Sequence, residues 1–249
     1  MAVSVAVSRV IKKQGGFALA DKIQHVAGHS LGEYSALTAA GTFSLSDAAR
    51  LLRLRGEAMQ RAVPVGIGAM AAILGLSFDD VKSVAEQAST PDNMCSIAND
   101  NCEGQVVISG HKDAVERAAE LAKDKGAKRA VILPVSAPFH CPLMAPAAQE
   151  MAEALAGASM QAPSVPVVCN VSVKAETDVE TIRKLLIEQV TGMVRWRESV
   201  LWMRDKGVES MAEIGAGKVL CGLSRRIDRD IKTMAVETPE QIEALLETL

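Results

Sequence analysis

The chain lacks a large excess of charge of either sign: 27 Lys and Arg stand against 30 Asp and Glu, a formal net charge of -3 over 249 residues. Without a global basic field, binding to nucleic acid or to an anionic membrane surface has no support. Long hydrophobic runs are missing too. The apolar stretch around Ile67 to Leu76 falls short of the roughly 20 residues that a bilayer crossing takes, and glycines interrupt it, so no membrane partner is expected. The five cysteines (Cys95, Cys102, Cys141, Cys169 and Cys221) are odd in number and scattered, with no C-x-x-C pair. That excludes a disulfide framework or a zinc site and is the pattern of reduced thiols. Near Met1 the apolar residues precede the cationic ones, the reverse of a secretory signal, and the expected location is the cytoplasm.

What is present is globular composition, 49% hydrophobic and 23% charged, in a length suited to one or two domains. Val3, Ala6, Val7, Val10 and Ile11 recur at helical spacing from the very start. No capping residue precedes them, so the sequence reads as though it opens within an element. Residues 22–28 read as a strand and 31–40 as a helix. Ser46 reads as the N-cap of a helix that runs to about Ala62 before Pro64. From Gly66 to Pro134 the expected order is strand, helix, strand, strand, helix, strand. This split βαβ rhythm predicts a small ferredoxin-like subdomain over 66–134, with Gly66, Gly68, Pro134 and Pro138 as hinges. Helices over 145–156, 179–190 and 196–206 then alternate with strands at 166–171, 209–214 and 231–236. The predicted class is α/β, with a discontinuous, hydrolase-like parallel-sheet core over 1–65 and 135–249.

The sharpest chemical signal is Gly28-His29-Ser30-Leu31-Gly32, a G-x-S-x-G set between a predicted strand and a predicted helix. That is the context of a nucleophile elbow, in which side-chain-free neighbours let the backbone bend and the hydroxyl project beside helix N-terminal N–H groups. The bland alternative is a turn whose serine merely caps the helix. Of the four histidines, His25 sits within the strand and His111 opens a helix, facing solvent. His29, adjacent to the serine, points away from the hydroxyl and is left to line a pocket. His140, in the proline-flanked loop Ser136-Ala137-Pro138-Phe139-His140-Cys141-Pro142, is the best-placed general base. Arg55 shares a helix face with Ala48, Leu51, Leu52, Met59 and Ala62, so its guanidinium points inward. A buried guanidinium takes a partner, here either a structural carboxylate or an anionic ligand, and its planar fork suits a carboxylate.

These residues occur within longer segments, GHSLGEYSAL (28–37), RLRGEAMQ (53–60), GAMAAILG (68–75), NDNCEGQVVISG (99–110), SAPFHCPLM (136–144) and EIGAGKVLCGL (213–223), with Gln189 ahead of Trp196. Over nearly its whole length the chain resembles the malonyl-CoA:acyl carrier protein transacylases of bacterial fatty-acid synthesis. The resemblance implies that Ser30 accepts a malonyl group from malonyl-CoA, that His140 is its base and that Arg55 clamps the malonyl carboxylate. It also implies that Gln189 orients the imidazole through its backbone carbonyl, that Leu31 gives an oxyanion N–H, and that His29 and Asn99 shape the acyl pocket. Phe139 before the base resembles malonyl-type sites more than methylmalonyl-type ones. Acyl carrier protein is the implied partner of a monomeric enzyme. Lys218, Arg225, Arg226 and Arg229 would meet its acidic surface, unless they form an ordinary charged helix face. No metal or organic cofactor is implied, malonyl-CoA being a substrate. The family also has an amino-terminal segment with a GQGSQ loop, which this sequence does not contain. Two other readings use the same residues: a serine hydrolase or thioesterase, in which water deacylates the serine, and a shortened, impaired transacylase that only binds carrier protein.

Overall fold

The computed structural model describes all 249 residues, as an α/β protein. Helices α1 (Ala2–Gly15) and α2 (Leu19–Lys22) precede strand β1 (Val26–Ala27), which is followed by α3 (Leu31–Ala39) and α4 (Leu45–Ala62). Next come β2 (Gly68–Leu74), α5 (Phe78–Ala88), β3 (Cys95–Cys102), β4 (Gln105–His111), α6 (Lys112–Asp124) and β5 (Arg129–Ile132). A 3₁₀ turn at Pro142–Met144 leads into α7 (Ala145–Ala156), β6 (Val167–Val168), β7 (Ala175–Glu176), α8 (Val179–Thr191) and α9 (Trp196–Asp205). The chain ends with β8 (Ser210–Ile214), α10 (Val219–Ile227), β9 (Lys232–Val236) and α11 (Pro239–Leu246). No helix is long and apolar enough to cross a membrane.

The chain packs into two compact units. The first comprises Met1–Leu52, Ala158–Ile182 and Glu198–Leu249. In it β1 runs parallel to β6, with Val26 opposite Val167 and Ala27 opposite Val168, and β7 returns antiparallel to β6. The β8–β9 pair is parallel and forms a separate sheet. Parallel pairing was expected, but in one sheet; it falls in two pieces. The strand expected over 22–28 shortens to two residues because 19–22 turn as helix, closed by the Ile23 N–H on the Leu19 carbonyl at 2.9 Å. Helix α1 buries Val5, Val7 and Ile11, the last two against Val236, Ile242 and Leu245. Val3 and Val10, expected on the inner stripe, are instead 47% and 39% exposed.

The second unit comprises Arg53–Gly157 and Arg183–Arg197, and residues 66–134 lie wholly within it. Its four strands lie in the order β3-β4-β2-β5, antiparallel at every pairing. Strand alternation sorts the side chains onto two faces. Ala69, Ala71 and Ile73 of β2 and Val106 and Ile108 of β4 pack against Val81, Val84 and Ala85 of α5 and Ala114, Val115 and Ala118 of α6. Met70, Ala98 and Val107 face the other way and receive Leu133 and Phe139. The residue immediately before His140 is thereby seated on the sheet. Gly68 packs closely: a Cβ there would lie 2.4 Å from the Pro138 ring.

Candidate active site

In the first unit the chain leaves β1, bends through Gly28, His29 and Ser30, and enters α3. Ser30 has φ 52° and ψ -105°, a conformation that costs an L-residue free energy and that clusters at functional sites. The bend is tight enough to forbid a side chain at position 28, where a Cβ would lie 2.0 Å from the Gly32 carbonyl carbon and oxygen. Gly32 is different: a Cβ there meets nothing within 4 Å, so only the first of the two glycines is demanded by packing. The Gly32 N–H goes to the His29 carbonyl and the Glu33 N–H to the Ser30 carbonyl. The Leu31 N–H, first in the helix, is one of the donors that a helix start leaves without an intrahelical acceptor. His29 is half-buried beside it.

The second unit holds the candidate base and the guanidinium. His140 is 5% exposed, with φ 57°. Its Nδ1 lies 2.8 Å from the Gln189 carbonyl oxygen and 3.2 Å from that of Gly192. Both neighbours can only accept, so Nδ1 carries the hydrogen and Nε2 the lone pair, the tautomer a general base needs. The two carbonyls belong to the end of α8, where the helix dipole is negative and favours an imidazolium. Arg55 is turned inward as its helical spacing requires, at 7% exposure. Its Nη2 donates to the Gln189 side-chain oxygen at 3.0 Å. Gln189, fully buried, thus engages the imidazole through its backbone and the guanidinium through its amide. The Gly192 carbonyl on His140 has no side-chain signature, and the Gln189 amide lies 134 residues from Arg55, so neither contact was legible beforehand.

Asn99 is 7% exposed at a bulge in β3 and forms a parallel bridge with Val194. The Val194 N–H goes to the Ala98 carbonyl at 2.8 Å and the Asp100 N–H to the Val194 carbonyl at 3.0 Å. Asp100 also accepts from Arg197 Nε through both its oxygens, at 3.1 and 2.9 Å. These contacts fix the segment between α8 and α9 that carries Gly192. The other histidines stand apart from this chemistry. His25 precedes β1 and meets Trp202 edge to face at 5.3 Å, its pKa lowered by burial. His111, expected to face solvent, uses Nδ1 to accept the Met94 N–H at 3.0 Å. No group of three or more His, Cys, Asp or Glu side chains is gathered to hold a metal ion.

Comparison with known proteins places this geometry in context. The malonyl CoA-acyl carrier protein transacylase of Escherichia coli K12 is 50% identical over 244 residues, covering 98% of this chain and 77% of that protein. Its namesake in Bacillus subtilis is 49% identical over 223 residues, covering 90% and 70%. Among solved structures, the acyl-carrier-protein-S-malonyltransferase of Bartonella henselae superposes with a TM-score of 0.96 at 57% identity, covering 99% of this chain and 78% of that one. A malonyl-transacylase solved in complex with its type II PKS acyl-carrier protein superposes with a TM-score of 0.95 at 44% identity, covering 100% and 79%. The family described as the acyl transferase domain matches residues 1–238, a span that takes in the strained serine, the backbone-held imidazole and the inturned guanidinium alike. By that match and by these identities, the chain belongs to the acyl transferase domain family.

Proposed function

We propose that this enzyme transfers a malonyl group from malonyl-CoA to the phosphopantetheine thiol of acyl carrier protein, through a malonyl ester on Ser30. The reading is supported by the named relatives, at about half identity over almost the whole chain, and one observation carries the choice of acyl group. Arg55 presents a buried guanidinium, held by the Gln189 amide oxygen, whose planar fork suits an incoming carboxylate.

In the mechanism, His140 Nε2 takes the Ser30 hydroxyl proton as Oγ attacks the thioester carbonyl. The oxyanion is met by the Leu31 N–H. The C–S bond then breaks, coenzyme A leaves with the proton that His140 returns, and the ester remains. The carrier thiol, deprotonated by the same imidazole, attacks that ester, and Ser30 recovers its proton. Gln189 holds the imidazole through its carbonyl, Arg55 takes the malonyl carboxylate, and His29 and Asn99 shape the acyl pocket. The reaction draws on no metal or organic cofactor.

The same reading takes 66–134 as a ferredoxin-like subdomain, supported by the antiparallel order β3-β4-β2-β5 with its two helices. It takes 1–65 with 135–249 as a hydrolase-like core, and the enzyme as a cytoplasmic monomer whose five cysteines are free thiols. The test is labelling with radioactive malonyl-CoA. The protein becomes labelled, Ser30→Ala does not, and added carrier protein removes the label as malonyl-carrier. Label retained by Ser30→Ala defeats the nucleophile; label released to water as free malonate, with the carrier present, returns the case to a hydrolase.

A further inference from the structure

Asn170, two residues past the end of β6, is 1% exposed and reaches across to the elbow. Its Nδ2 donates to the Gly28 carbonyl at 2.8 Å, and its Oδ1 accepts the Ser30 N–H at 2.7 Å. In a parallel ladder, a residue donates its N–H to the carbonyl before the residue opposite and accepts the N–H after it. The Asn170 side chain makes that pair of bonds on either side of His29. One planar amide stands in for a peptide group and adds a rung beyond Ala27 and Val168, where the backbone pairing ends.

That rung falls at the strained serine. A conformation such as φ 52° at Ser30 persists only where its surroundings over-determine it, and a bond from Asn170 onto the Ser30 amide supplies such a constraint. Asn170 is itself held at both ends. Its own N–H donates to Glu33 Oε2 at 3.0 Å, and Glu33, 1% exposed, lies in the first turn of α3. On its other side the chain turns through Val173 at φ 60°, rare for a β-branched residue, closed by the Cys169 N–H on the Lys174 carbonyl and the Val173 N–H on the Cys169 carbonyl, both at 3.1 Å. The structure has three non-glycine residues at positive φ, Ser30, His140 and Val173. The third belongs to the turn that presents Asn170.

We infer that Asn170 is a positioning residue for acyl transfer: its side-chain amide holds the Ser30 elbow in the reactive bend, and Glu33 holds Asn170. The inference rests on the reading of Ser30 as nucleophile. Asparagine is required because the site needs a donor and an acceptor on one plane. Aspartate, of the same shape, sets an oxygen against the Gly28 carbonyl.

The experiment is rapid-quench acylation by radioactive malonyl-CoA, with each rate normalised to the sites that finally label, so that loss of folded protein does not enter. In Asn170→Ala the rate of Ser30 acylation falls by about 10²-fold, the scale of a misplaced reacting group, while the half-saturating malonyl-CoA concentration stays unchanged. Asn170→Asp, which keeps the packing volume, falls as far and serves alone if the alanine variant does not fold. Glu33→Gln still offers an oxygen to the Asn170 N–H and restores most of the rate that Glu33→Ala loses. Acylation at the native rate in a folded Asn170 variant, or a change confined to the half-saturating concentration, overturns the positioning role and leaves the nucleophile standing. Absence of label at Ser30 in the unaltered protein fails the underlying reading instead.

Discussion

In the proposed mechanism, Arg55 is the residue that selects the acyl group. Removing a buried, hydrogen-bonded charge partner costs several kcal/mol, so Arg55→Ala should slow malonyl transfer by about 10²- to 10³-fold. Acetyl transfer, which offers the guanidinium no carboxylate, should hold or rise. Parallel assays with the two thioesters check this, and equal losses would remove the clamp. At this scale the sequence was most legible where a side chain carries the chemistry. Ser30 was marked by its glycine bracket, and Arg55 by an apolar stripe at helical spacing. What stayed hidden works through peptide groups or distant pairing. The Gly192 carbonyl has no side-chain signature, and Asn170 lies 140 residues from the serine whose amide it holds. Asp100, paired with Arg197, was equally unmarked, since its partner stands 97 residues away.

Among elements, α4 offers a test of how the chain starts a helix. Ser46 was expected as its cap, but the helix begins at Leu45 and the acceptor is Ser44, whose Oγ receives the Asp47 N–H at 3.0 Å. Ser44→Ala should therefore cost about 1 kcal/mol of stability, which for a chain of this size is a Tm drop of about 2–4 °C. Ser46→Ala should cost clearly less, and thermal unfolding of the two variants separates them. Most helices and strands were readable because period 3.6 and period 2 are written locally, as in β2, whose alternate residues face the two helices. Lengths were less readable, because they depend on tertiary partners. Strand β1 is cut to two residues by the helix before it and the bend after it. Helix α11 escaped the reading although it is signalled by Thr238-Pro239-Glu240-Gln241, a capping box in which the Gln241 side chain accepts the Thr238 N–H at 3.0 Å.

For the molecule as a whole, two properties follow from where charge and thiols lie. Lys218, Arg225, Arg226 and Arg229 are all exposed around α10, and Arg225 also reaches β9, its Nε 2.6 Å from Thr233 Oγ1. Reversing Arg226 and Arg229 to Glu should weaken carrier-protein binding, most at low salt, and leave acylation by malonyl-CoA untouched. Titration of binding at two ionic strengths checks it, and unchanged affinity demotes the patch. All five thiols are buried. Desolvation pushes Cys95 up to about 12 and raises Cys141, Cys169 and Cys221 as well. Raised values keep the unreactive protonated form, so iodoacetamide at pH 8 should label the native protein slowly and all five positions after denaturation, as mass spectrometry would count. The end of α8 has a consequence for genetics. Main-chain oxygens hold the imidazole, and no codon encodes them, so under the proposed mechanism a screen for inactivating substitutions would recover Ser30, His140 and Arg55, while any allele at Gln189 would report on its side-chain bond to Arg55 and not on the carbonyl that orients the base.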